Sequence, residues 1–259
     1  MKRTKTKLIV LLVLVFAASL IAGIASLFSV KAYAEESSYG YYYEQLTTNE
    51  EKAFYSALAD MKSQDVFKSG TETWNLVEKG YLENKGYNQT TLTEAFGAGR
   101  DAFMLDNSDL FYVDFDKISV RMLTDGSNYK INLGIGRYDN YFADGFDLTN
   151  VDKAIADFES IVNKIVDGAD GYLGVNNKIL YVYETVMDNA VYSLEFDAGD
   201  DADYVRCAYG VLVKGKGVCQ SFSQAVNIIL NKLGIENVLV QGMFIDDDGN
   251  DQPNMWNKL

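Results

Sequence analysis

The sequence predicts an α+β chain: a leader, then a small N-terminal α+β domain, then a second domain in which helices pack on an antiparallel sheet. Three observations carry this expectation. Runs with apolar residues three and four apart come in blocks separate from the β-rich runs, so helices and strands are segregated along the chain. The 259 residues are 48% hydrophobic and 23% charged, a globular composition with material for one or two packed cores. The pattern turns helical again at Val151, which sets a domain boundary near Asn150.

The leader comes first. Lys2, Arg3, Lys5 and Lys7 precede an apolar run from Leu8 to Val30, and Ala32-Tyr33-Ala34 places small residues at the cleavage positions before Glu35. Residues 1–34 therefore read as a secretory signal peptide. An N-terminal membrane anchor is the alternative, because a run of this length suffices to span a bilayer. In both readings the chain from Glu35 onward is exported. It is then either secreted or held at the outer face of the cytoplasmic membrane, and meets the membrane only through this segment.

The N-terminal domain occupies residues 35–150. Glu35 to Tyr43 is a Ser/Gly/Tyr stretch that reads as a tether or a partly packed lead-in, with a sugar-stacking patch at Tyr41-Tyr42-Tyr43 as the other reading. Thr48 and Glu51 form a capping box, and Phe54, Leu58 and Met61 follow at helical spacing. A second helix is expected from Thr93 to Leu105. Leu110 to Phe115, Ile118 to Leu123 and Tyr129 to Ile135 are β-rich runs, the last two separated by the hairpin signal Asp125-Gly126-Ser127.

The second domain, residues 151–259, opens with a stripe of Ile155, Phe158, Ile161, Val162, Ile165 and Val166 that ends at Gly168. Asn177 to Asn189 is a further helix with Ile179, Leu180, Val182, Tyr183 and Val186 as its apolar residues. Gly215 and Gly217 mark a tight turn. Cys219 then opens a helix carrying Phe222, Ala225, Val226, Ile229, Leu230 and Leu233, terminated by Gly234. A strand from Asn237 to Ile245, a turn at Asp246 to Asn250 and a strand starting at Met255-Trp256-Asn257 complete the pattern.

Composition excludes several function classes. With no histidine, the chain builds neither a Ser-His-Asp triad nor a Cys-His pair nor an imidazole-ligated metal site. The net charge of −14 has the wrong sign for a phosphate-backbone binder, so nucleic acid is not an expected partner. All five basic residues through Lys31 belong to the leader, which has no acid, so the exported part carries −19 and repels anionic polymers and membranes. No cofactor or metal motif is read. Asp246-Asp247-Asp248-Gly249-Asn250 lacks the sixth-position glycine and the later glutamate of a calcium loop, and Asp197, Asp200, Asp201 and Asp203 read as a solvated acidic loop.

Cys219 is the residue with chemistry. At a helix N-terminus the unpaired backbone N–H groups stabilise a thiolate, which is what a nucleophilic cysteine requires. A small buried hydrophobe is the bland reading of the same residue, and a disulfide with Cys207 is a further alternative in an exported chain.

Ala208-Tyr209-Gly210, Gly215-Lys216-Gly217-Val218-Cys219-Gln220, Leu233-Gly234-Ile235 and Met255-Trp256-Asn257 together resemble the transglutaminase-like superfamily of bacterial exported proteins. The resemblance implies a papain-like core with a Cys-His-Asp triad. Its thiolate attacks a glutamine or peptide carbonyl and passes the acyl group to an amine or water. It puts Cys219 at the nucleophile, with its own N–H as an oxyanion donor, and Gln220 and Trp256 among the binding residues. Leu105-Asp106-Asn107 before Leu110-Phe111-Tyr112 is similar to the domain that often precedes this core.

The departures weigh as much. The position of the family's histidine is Asn254, and a carboxamide hydrogen-bonds but does not shuttle a proton near neutral pH. The family's aspartate lies on a strand beyond Leu259, so the domain reads as C-terminally incomplete. The expected function is accordingly that of an exported transglutaminase-like protein derived from a thiol acyl transferase or peptidase acting on protein or peptide amides, inactive as it stands. The alternative is a non-catalytic surface or secreted module that binds peptide or glycan.

Overall fold

Thr48 and Glu51 start the first long helix as their spacing predicts. The Thr48 hydroxyl accepts the Glu51 N–H at 3.1 Å and the Glu51 carboxylate accepts the Thr48 N–H at 2.9 Å, which satisfies two unpaired donors reciprocally. The structure, a computed structural model, describes residues 40–69, 72–135, 149–193, 203–245, 249 and 251–259. The leader with its cleavage site, Asp197, Asp200 and Asp201, and the tip residues Asp246 to Asp248 and Asn250 lie outside the described residues.

Tyr41–Leu259 forms one compact unit of mixed helix and sheet. It begins with α1 (Tyr41–Gln45), α2 (Asn49–Ser63), α3 (Val66–Ser69), β1 (Glu72–Asn75) and α4 (Gln89–Asp106). The hairpin of β2 (Ser119–Asp125) and β3 (Asn128–Ile135) follows, then α5 (Val151–Ala169), α6 (Val175–Asn189) and the two-residue strand β4 (Val191–Tyr192). β5 (Lys216–Gly217), α7 (Cys219–Lys232), β6 (Val238–Ile245) and β7 (Asp251–Lys258) complete the order.

The described end of the lead-in, from Tyr41 on, is packed. α1 sits against the end of α4, where the Asp106 carboxylate accepts the N–H groups of Tyr42 and Tyr43 at 3.1–3.2 Å and the Tyr55 hydroxyl at 3.0 Å. Burial holds the Asp106 carboxyl above the usual carboxylate range despite these bonds, and pushes the Tyr42 phenol up to about 12. α2 and α4 pack through Phe54 against Phe96 and Tyr55 against Phe103, both edge-to-face.

β1, β3 and β2 form an antiparallel sheet in that order, and Asp125 pairs with Asn128 across a two-residue loop, as the hairpin signal predicts. Trp74, Ile131, Leu133 and Ile135 lie in its core. Two expectations need correction here. The second helix begins at Gln89 rather than Thr93, because Asn88 caps it by accepting the Thr91 N–H at 3.1 Å. Leu110 to Phe115 is not a strand: it folds as turns that lead into a 3₁₀ helix at Phe115–Lys117. Leu110, Phe111, Tyr112, Val113 and Phe115 are all buried, so the run is enclosed on every side instead of alternating as a half-exposed strand does.

α5 and α6 follow the expected stripes in part: Phe158, Val162, Ile165, Val182 and Val186 are buried, Ile155, Ile161, Val166, Ile179 and Tyr183 are half-buried, and Leu180 is exposed, so the apolar side of α6 is narrower than its composition predicts. Segments on the two sides of position 150 meet inside the unit: Phe111 lies between Phe158 and Tyr209, and Ser108 Oγ is 3.3 Å from Asn227 Oδ1 on α7. α7 packs on the antiparallel pair β6–β7, whose register runs from Val238 opposite Lys258 to Ile245 opposite Asp251. β7 thus starts four residues before the predicted Met255. Among the described residues no helix is long and apolar enough to cross a membrane.

Candidate active site

The local fold around Cys219 is a sequence of tight connections. Gly210–Lys214 makes a π-helical turn, and Asn189 at the end of α6 donates its side-chain N–H to the carbonyls of Val211 and Leu212 at 2.7 and 3.0 Å. Gly215 ends that turn at φ 72°, a left-handed conformation that favours glycine. β5 then runs parallel to β4, with the N–H groups of Val191 and Ser193 bonded to Gly215 and Gly217. Val218 is the N-cap of α7, and the Ser221 hydroxyl reaches back to accept its N–H at 2.8 Å. Cys219 is therefore the first residue of α7, as its sequence position predicts. It is half-buried and not bridged to Cys207, whose thiol donates to the Tyr204 carbonyl.

Tyr192 is the partner that the sequence did not reveal. Its hydroxyl accepts the Cys219 backbone N–H at 3.3 Å, and its ring stacks on Phe222 one turn along α7. The N–H expected to serve as an oxyanion donor is thus already engaged. Burial raises the Tyr192 phenol above its usual value, so it stays protonated at neutral pH and does not accept a proton from the thiol.

β7 lies along the same helix. Ser223 is one turn beyond Cys219, and its hydroxyl donates to the Met255 carbonyl at 2.8 Å, while Asn257 Nδ2 donates to the Ser223 carbonyl at 3.0 Å. This places the stretch Asn254-Met255-Trp256-Asn257 against the first turns of α7. Asn254 is half-buried opposite Gly242, and its Oδ1 accepts the N–H of Met255 at 2.9 Å. No hydrogen bond joins Asn254 to Cys219 among the described residues. Trp256 is 42% exposed and its ring lies over Gly242, where a Cβ would come within 2.6 Å of Trp256 Cη2. Gln220 lines a cleft shared with Gln224, Gln241 and the Asn107–Asp116 segment.

Chemically, the site offers a thiol at a helix N-terminus with a phenol beside it. A working acyl-transfer centre needs a group that takes the thiol proton and returns it to the leaving amine. Neither a carboxamide such as Asn254 nor the protonated phenol of Tyr192 performs that exchange. Among the described residues no group of three or more His, Cys, Asp or Glu is placed to hold a metal ion.

No protein-family model and no curated protein sequence matches the chain. Among solved structures, a candidate cysteine protease from Cytophaga hutchinsonii is similar at 12% sequence identity, with a TM-score of 0.30, covering 53% of this chain. The chain spans 57% of the length of that protein.

Proposed function

We propose that this chain is an exported transglutaminase-like protein with a papain-like core, descended from thiol acyl transfer on protein or peptide amides and held without turnover. In this reading residues 151–259 carry the thiol domain and residues 35–150 the α+β part that precedes it. The Ser223–Met255 hydrogen bond supports it best, since it ties the strand bearing Asn254 and Trp256 to the helix that Cys219 opens. That is the arrangement a Cys-His pair on helix and strand requires, with a carboxamide in the place of the imidazole. A thiolate attack on an amide carbonyl would leave an amine to be protonated, and Asn254 has no proton to give at neutral pH.

The decisive experiment is Asn254→His. Incorporation of a fluorescent primary amine into glutamine-containing peptides, or their hydrolysis, is expected to rise by about two orders of magnitude and to vanish again with Cys219→Ser. A folded Asn254→His variant with no gain sinks this reading, as does substantial Cys219-dependent activity with Asn254 in place.

A further inference from the structure

Three glutamine side chains converge on a cleft of about 400 Å³ between the Asn107–Asp116 segment and the start of α7. Gln220 and Gln224 come from α7 and Gln241 from β6. None of the three carboxamides hydrogen-bonds to a described residue. Gln224 is the telling one. It is only 5% exposed, and its buried Oε1 has no hydrogen-bond partner among the described residues. A carboxamide removed from water without a partner is costly, and such groups are rare in folded proteins unless something else satisfies them.

We propose that this cleft is a binding site for an uncharged, extended polypeptide segment, held by amide-to-amide hydrogen bonds to Gln220, Gln224 and Gln241. A carboxamide presents one acceptor and an adjacent N–H donor, which match the N–H and C=O that a single residue presents on one edge of an extended chain, so the two join by a pair of bonds. The charges around the cleft point the same way. Arg100 is neutralised between Asp101 at 2.8 Å and Asp116 at 3.0 Å, and Asp114 is paired with Lys117 at 3.2 Å. The groups left seeking partners are the neutral amides. A sugar is disfavoured because the cleft's aromatic rings have no open face: Phe111 and Phe115 are 5% and 7% exposed, and Phe111 already lies against Phe158 and Tyr209. The volume lies within the range of small ligand sites and admits two or three residues of a longer segment.

Cys219 does not line the cleft, so this proposal stands apart from the acyl-transfer reading and gives the non-catalytic alternative a specific place. The test is a titration of the full chain, labelled with nitrogen-15, with the neutral peptide acetyl-Gly-Ala-Ser-Ala-Gly-amide. Its backbone N-methylated counterpart and penta-N-acetylchitopentaose serve as comparisons. The side-chain NH₂ signals of Gln220, Gln224 and Gln241 are expected to shift saturably with the peptide, and the N-methylated peptide to bind about tenfold or more weakly. Gln224→Met, which keeps the length and removes the amide, is expected to weaken binding by about tenfold, and Gln220→Ala repeats the test at a half-buried position. Cys219→Ser leaves binding unchanged. No saturable shift, equal binding of the N-methylated peptide, a response to the chitopentaose alone, or full affinity in both glutamine variants overturns the proposal, the orphaned amide then being served by water only.

Discussion

The Tyr192 hydroxyl accepts the backbone N–H of Cys219 at 3.3 Å, so a side chain from β4, 27 residues earlier in the chain, does the capping that Val218 cannot. Helix N-caps are normally supplied by the residue before the helix, and a valine offers no oxygen. Tyr192→Phe keeps the ring on Phe222 and removes only the acceptor. It is expected to destabilise the chain by about 1 kcal/mol in chemical denaturation, the usual magnitude for a lost cap. An unchanged stability would mean that the contact contributes nothing to the helix end.

Cys219 is expected to react sluggishly despite its helix position, because no imidazolium stands by to hold a thiolate. The measurement is iodoacetamide alkylation from pH 5 to 9 in a Cys207→Ala background. Slow labelling at pH 5 that accelerates with rising pH agrees with the site as described. Rapid labelling at pH 5 would show that another group activates the thiol.

Glu51 supplies the pH dependence. Burial acts to raise its carboxyl, but hydrogen bonds from the Thr48 and Thr47 backbone and side chains outweigh it and hold the group below the ordinary glutamate range. A carboxylate whose pKa is depressed on folding contributes stability above its unfolded value, about 4.3, and loses it as pH falls through the folded one. Glu51→Gln should therefore cost most at neutral pH, under about 1 kcal/mol given the exposure of the pair, and the gap to wild type should close below pH 4. A gap that widens on acidification contradicts the capping-box account.

Much of this architecture is legible in the sequence wherever a local signal coincides with a local cause. Thr48 with Glu51, the Asp125-Gly126-Ser127 turn, and Cys219 after two glycines each act within a few residues of themselves, and each ended up where its spacing predicts. Leu110 to Phe115 misleads because β-rich composition reports apolar burial, and here burial comes from surrounding helices rather than from a sheet. β1 escapes notice because Glu72–Asn75 carries Trp74 as its one large apolar residue, and it pairs with a strand some sixty residues away. Tyr192 and Gln224 leave no trace in the sequence at all. Their roles arise from contacts across the fold, the first with a distant helix end and the second with a cleft wall built from α4 and the segment after it.

The carboxylate of Asp106 has a mechanical meaning as well. The backbone N–H groups of Tyr42 and Tyr43, at the very start of the compact unit, converge on its oxygens together with the Tyr55 hydroxyl. A tug on the chain from the N-terminal side therefore does not peel away a loose end. It is passed through Asp106 into the last turn of α4 and sideways through Tyr55 into α2, two long helices already locked by their rings. Under load the start of this unit behaves as a stitched seam, with this one acidic side chain as a knot that ties both helices to it, beside the ring contact of Tyr43 with Tyr55.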